Sequence, residues 1–194
     1  MKRRAGFTLL EVLLVATVFG ILALKISMLF NTMAVSDSRQ SAEIVLEDLA
    51  RRVVDQIGFA VMGADRSTLF PDPASPTYSE EIAYTVSLGV QDGAVVWGDP
   101  ESIALSGNDI QVLWRSNPDA ADERRVVWCN VVRPFLEGEV ANGVDDNGNG
   151  LIDERGLSFT LQGDCVSIRL TLEQPREDDT FLITTIESKV TLRN

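Results

Sequence analysis

Histidine is absent from all 194 residues. Its absence excludes a Ser-His-Asp triad, a Cys-His pair and any His-bearing zinc site. Cysteine occurs only at Cys129 and Cys165. That spacing is far from CxxC, so neither a thioredoxin-type motif nor a Cys-rich metal site can be built. Bases are scarce: 17 Lys and Arg stand against 29 Asp and Glu, a net charge of −12. An acidic body repels phosphate, so no nucleic acid is expected as a partner. No two carboxylates pair in a pattern suited to general acid–base work, and the chain is not expected to be an enzyme. No proline precedes Pro71, and no internal repeat or low-complexity tract occurs.

What the chain does have begins at residue 1. Lys2, Arg3 and Arg4 precede an apolar run from Phe7 to Leu24, broken only by Thr8, Glu11 and Thr17. Continued past Lys25 through Phe30, the run is long enough to cross a bilayer, which takes about 20 helical residues. Three bases before it and one close behind place the N-terminus in the cytoplasm and the body outside. A secretory signal peptide shares the basic start and apolar middle. It has no use, however, for a carboxylate inside the apolar run, which costs on the order of 3 kcal/mol at mid-membrane. Glu11, near the edge, costs less and still needs a reason.

The segment Gly6-Phe7-Thr8-Leu9-Leu10-Glu11 resembles the processing site of type IV pilins and pseudopilins. The resemblance covers the basic leader, the glycine before the cut, the new N-terminal Phe7, and a glutamate five residues into the mature chain. It implies that a prepilin peptidase cuts after Gly6 and that the new amine on Phe7 is methylated. It also implies that Glu11 meets the positive N-terminus of a neighbouring subunit within the membrane. A buried carboxylate is tolerable when an opposite charge satisfies it and expensive alone. Many major pilins carry a proline within the first helix; without one, this helix should run straighter.

Beyond the span, apolar residues recur at Ala42, Val45, Leu46, Leu49, Val53 and Ile57, opposite Glu43, Glu47, Asp48, Arg51, Arg52 and Asp55. That is a helical stripe seeking a surface to pack on. Gly63 offers a stop. A helix over residues 7–62 would be roughly 80 Å long; a hinge near Asp37 would instead divide it in two. Residues 65–79, with Pro71, Pro73 and Pro76, read as a loop.

The period then changes. Ile82, Tyr84, Val86, Leu88 and Val90 alternate, and Asp92-Gly93 offers a tight turn into residues 94–97. Further strands are expected at 103–105, 110–115, 124–133, 157–161, 165–173 and 181–192, the last three as an antiparallel meander. Trp97, Trp114 and Trp128 fall in these segments and are expected in the core. The fold class is therefore α+β, a long helix packed on antiparallel sheet, which is also the pilin architecture. The expected division is a leader at 1–6, a membrane half-helix at 7–35, an amphipathic half at 36–63 and an outer β domain at 64–194.

The stretch from Asn142 to Glu154 is rich in Asn, Asp and Gly. Counted from Asp145, side-chain oxygens fall at positions 1, 3 and 5 (Asp145, Asn147, Asn149), and Gly150 takes position 6. Leu151 offers its carbonyl at 7 and Asp153 stands at 9, a pattern resembling an EF-hand calcium loop. Position 12, normally a bidentate Glu, is Gly156; Glu154 or Asp146 would have to substitute. The competing reading is an Asn/Gly-rich connector with solvated charges. Cys129 and Cys165 flank this stretch. In an oxidising compartment they are expected to pair, worth about 3–4 kcal/mol; the alternative is two buried free thiols.

The body and the ending at Asn194 are similar to PilW-like minor pilins and J-type minor pseudopilins of type II secretion. The resemblance implies a filament-initiating or tip subunit whose partners are other pilin or pseudopilin subunits, the prepilin peptidase and the membrane. A second reading is a membrane-tethered binding protein or adhesin exported by the same route.

Overall fold

A computed structural model describes residues 8–74, 76–176 and 179–192, with the side chains of 34, 35, 37 and 38 left out. The chain begins in helix α1, Leu9–Met62, which ends one residue before Gly63. It is one α-helical element, with no break near Asp37. By contacts the chain divides into Met1–Ile44 and Val45–Asn194. From Leu9 on, the described part of the first unit is helix. It is predominantly apolar from Leu9 to Met33, interrupted by Glu11, Lys25 and Asn31, and none of that stretch is buried. Such a helix is suited to hydrocarbon rather than to a protein face.

From Val45 on, α1 has a core face. Leu46, Ala50, Val53, Val54, Ile57 and Val61 are buried, at the spacing of adjacent helical turns. The face is rotated from the one the sequence suggests. Val45 is 66 % exposed, whereas Ala50 and Val54 point inward. The charged side pairs along itself, Arg51 with Glu47 at 2.6 Å and Arg52 with Asp48 at 2.7 Å. Gly58 is buried because a Cβ there would lie 3.2 Å from the Val190 side chain.

A single 3-10 turn, Arg66–Thr68, follows the helix, capped by the Asp65 carboxylate on Ser67 N–H. The strands are β1 Thr77–Ser79, β2 Glu81–Gln91, β3 Ala94–Ser106, β4 Gln111–Ser116, β5 Arg124–Cys129, β6 Leu157–Gln162, β7 Cys165–Pro175 and β8 Phe181–Thr191. They form two antiparallel four-stranded sheets, β1-β6-β7-β8 and β2-β3-β4-β5. The arrangement is α+β, a long helix with antiparallel sheets, as in pilins.

Three details differ from expectation. The short segments at 94–97 and 103–105 are one strand, β3, which passes through Pro100. The proline, opposite Thr85, is tolerated beside the register shifts between Thr85 and Gly89, where a ladder donor is not required. Residues 77–79, within the expected loop, form β1 by pairing with β6, 80 residues later. The three tryptophans are not in the core: Trp114 and Trp128 are half-buried and stack at 6.5 Å, and Trp97 is 43 % exposed. The Asp92-Gly93 turn forms as expected, with positive φ at both residues and Gln91 opposite Ala94.

The core is carried by β6 and β7, whose Leu157, Phe159, Leu161, Val166, Ile168, Leu170 and Leu172 are fully covered. These strands frame the segment that connects β5 to β6, which leaves the sheets to build the acidic loop.

Candidate functional sites: the helix start and the acidic loop

Thr8 and Glu11 define the start of α1. Thr8 Oγ1 accepts from Glu11 N–H at 3.3 Å, and the Glu11 carboxylate accepts from Thr8 N–H at 3.3 Å. This is a capping box, in which two otherwise orphaned donors are satisfied reciprocally. The family resemblance gives Glu11 an intersubunit role and Thr8 none, although Thr-x-x-Glu ahead of an apolar run is itself a helix-start signal. Gly6 and Phe7 lie outside the described residues.

Beyond this cap the span's polar residues are Thr17, Lys25, Ser27, Asn31 and Thr32, and the two threonines are satisfied by their own helix. Thr17 Oγ1 donates to the Leu14 carbonyl at 2.8 Å and Thr32 Oγ1 to the Met28 carbonyl at 2.9 Å. A hydroxyl bonded to its own helix can enter hydrocarbon cheaply. The candidate membrane span is Leu9–Met33, 25 residues. At 1.5 Å per residue it reaches about 37 Å, more than the roughly 30 Å hydrocarbon core.

The second site lies in the 150-residue unit that starts at Val45. Between Arg133 and Arg155 the chain has six acids and no base. The loop is closed at its foot by an isolated bridge between Phe135 and Arg155 and by Leu136 N–H donating to the Glu154 carbonyl at 2.8 Å. Arg155 also lies over the Phe135 ring, 4.8 Å from its centroid. Two carboxylates of this loop are buried: Glu139 at 1 % exposure and Glu154 at 0 %.

Asn147 links them. Its backbone N–H donates to Glu139 Oε1 at 3.1 Å, while its side-chain Nδ2 donates to Glu154 Oε2 at 3.2 Å. Asn149 Nδ2 also donates to Glu154 Oε2. The other Glu154 oxygen accepts from Arg169 Nη1 at 3.0 Å. Glu139 Oε2 is buried and has no hydrogen-bond partner among the described residues.

The remaining sequence-derived ligands are placed as follows. Asp145 uses both oxygens on the loop's own backbone, accepting from Gly148 and Gly150 N–H at 2.7 Å and from Asn149 N–H at 3.2 Å. Asp153 accepts from Asn142 and Gly143 N–H at 3.0–3.1 Å. Leu151 donates its N–H to Asn149 Oδ1 at 2.9 Å. Asp146 accepts from Asn142 Nδ2 at 2.8 Å. Asn147 and Asn149 thus converge on one point, whereas Asp145 and Asp153 tie the turns.

Among the described residues, no three Asp, Glu or Cys side chains form a ligand cluster. Gly156, at the position where an EF-hand has its last Glu, cannot carry a side chain. A Cβ there would stand 1.8 Å from the Arg133 carbonyl oxygen.

Cys129 and Cys165 are free thiols in the structure. They end β5 and begin β7, strands of different sheets, and the disulfide expected from the sequence is not present in the structure. Burial pushes the Cys129 thiol above its ordinary pKa.

Against known proteins, the family model described as the prokaryotic N-terminal methylation motif matches residues 1–24. No curated protein and no solved structure matches the chain.

Proposed function

We propose that this chain, which carries the N-terminal methylation motif of type IV pilin-like proteins, is a minor pilin or pseudopilin that starts or tips a filament of a type II secretion or type IV pilus machine. The motif points to a structural subunit rather than an enzyme, processed by prepilin peptidase and assembled with other pilin-like subunits.

One observation carries the reading. The first 25 residues of α1 are predominantly apolar and wholly uncovered, with a single carboxylate at their start and Lys25 as their one base. Lipid covers such a helix when the protein is stored in the membrane, and neighbouring helices of the same kind cover it in a filament. In either setting Glu11 is the one acid between Leu9 and Leu24. An amine on an adjacent subunit's N-terminus supplies the charge that makes its burial tolerable. The outer domain, which begins at Val45, then lies on the extracytoplasmic side, in keeping with the bases ahead of the span.

Glu11 has two jobs that a pair of substitutions separates. Glu11→Gln keeps an acceptor for the capping box, since Gln serves there as well as Glu, but removes the charge. Both Glu11→Gln and Glu11→Ala should insert in the membrane and lose the leader as wild type does. Both should lose most of their incorporation into filaments or minor-subunit complexes, read by cross-linking and co-purification. Full assembly of Glu11→Gln would reduce Glu11 to a helix cap.

The adhesin-type reading shares the export route and needs the outer domain to bind a target. No specific observation favours it.

A further inference from the structure

We propose that the loop closed by Leu136 and Glu154 binds one calcium ion, held by the Glu139 and Glu154 carboxylates together with the side-chain oxygens of Asn147 and Asn149. This assignment is independent of the assembly reading.

One carboxylate oxygen of the loop has no partner among the described residues. Glu139 is 1 % exposed, and its Oε2 has no partner among the described residues. Its other oxygen rests on the Asn147 N–H, which fixes the carboxylate at the loop. No described ion pair includes it. A buried carboxylate is retained when a counter-charge satisfies it and is otherwise costly. Glu154, on the far side of Asn147, has a counter-charge for one oxygen only, Arg169 at 3.0 Å. Six acids and no base between Arg133 and Arg155 leave the loop in need of positive charge.

The chemistry of the surrounding groups selects the ion. Every candidate donor is oxygen: two carboxylates, two amides and the backbone carbonyls of a glycine-rich turn. Such a set suits a hard cation, and its irregular geometry suits calcium better than magnesium, which demands a near-octahedral cage. The Asn147 and Asn149 amides already converge on Glu154 Oε2 through their Nδ2 atoms. Turned over, each presents Oδ1 at the same place, giving up the bond that Asn147 Oδ1 accepts from Asn149 N–H and the one that Asn149 Oδ1 accepts from Leu151 N–H.

The missing Glu of an EF-hand is also accounted for. Gly156 has no room for a side chain against the Arg133 carbonyl. Its duty falls to two glutamates outside the EF-hand register, Glu139 from before the loop and Glu154 from its end. Asp145 and Asp153, occupied with backbone N–H groups, shape the loop rather than reach the ion.

The test uses the full chain in detergent with calcium chloride as the probe. Calorimetry should find one calcium per chain, with an affinity of about 10⁻⁴ to 10⁻³ M, that of extracellular modules. Calcium at about 10 mM should raise the melting temperature by about 3–10 °C over chelator, and magnesium at the same concentration should do less. Glu139→Gln keeps the acceptor for Asn147 and should abolish the rise. Asn149→Ala, on an exposed loop position, should move the calcium titration to about tenfold higher concentration. It serves as the measure if Glu139→Gln does not fold. A wild-type melting temperature indifferent to calcium would overturn the proposal. So would a wild-type response retained in Asn149→Ala and in any folded Glu139→Gln protein.

Discussion

Tyr84 and Glu139 are both buried polar side chains with an unpartnered oxygen, and they differ in what that oxygen requires. A phenol can stay neutral at physiological pH. Burial, with the nearby Glu101 charge adding to it, holds the Tyr84 hydroxyl well above its ordinary pKa. A group whose pKa is raised by folding lends stability that is present below its unfolded value and lost as pH rises past it. The unfolded phenol ionises near pH 10, so stability should fall above that pH. Tyr84→Phe removes a hydroxyl without a hydrogen-bond partner. It should change stability at pH 7 by no more than about 1 kcal/mol and should flatten the alkaline decline in denaturant titrations. A decline as steep as that of wild type would mean that Tyr84 is not its source. The burial of Glu139 could not be read from sequence, because it belongs to the folded chain, whereas Tyr84 shares the alternating face of Ile82 and is buried with it. The Thr8–Glu11 cap was legible in principle, but the charge of Glu11 drew attention to its intersubunit role. Gly156 read only as a departure from a calcium motif until the Arg133 carbonyl gave its reason.

The helix α1 shows how far periodicity reaches. Apolar spacing placed a helix through residue 62 and an exposed charged side, and both are present. It did not fix which apolar residues face inward, since Val45, Leu46, Leu49 and Ala50 differ by fractions of a turn. The packing partner decides, and close approach at Gly58 to Val190 rotates the face onto Ala50 and Val54. Ile57→Ala should therefore cost about 2–5 kcal/mol by leaving a cavity, whereas Val45→Ala, at a position 66 % exposed, should cost no more than about 0.5 kcal/mol. Chemical denaturation of the two variants side by side checks this, and equal costs would contradict the observed face. Strands were read where alternation or a turn residue marked them, as at Asp92-Gly93. Strand β1 was not, because three residues near Pro76 carry no period and gain their structure from β6. Strand β3 was split in the reading at Gly98 and Pro100, residues that bulges in β2 accommodate.

The molecule as a whole puts two solvents to use. The described residues before Val45 are a helix without a packed interior from Leu9 on, and the unit from Val45 has its own core and two sheets. The core face of α1 starts at Leu46, well before the helix ends. An acidic outer unit with an oxygen-lined loop suits the outside of a cell, where calcium is abundant, and an apolar helix with one acid suits a membrane or a filament interior. The methylation motif over the first 24 residues implies one processing event, cleavage of the leader ahead of that helix. Intact mass and N-terminal peptide mass spectrometry of the protein, isolated from membranes of a host with an active prepilin peptidase, tests that most directly. The mature chain should begin at Phe7 with a methylated amine, and a peptidase-deficient host should retain Met1–Gly6. A mature chain that keeps its leader in the active host, or that begins near Val35 as a cleaved signal peptide would leave it, would contradict the account.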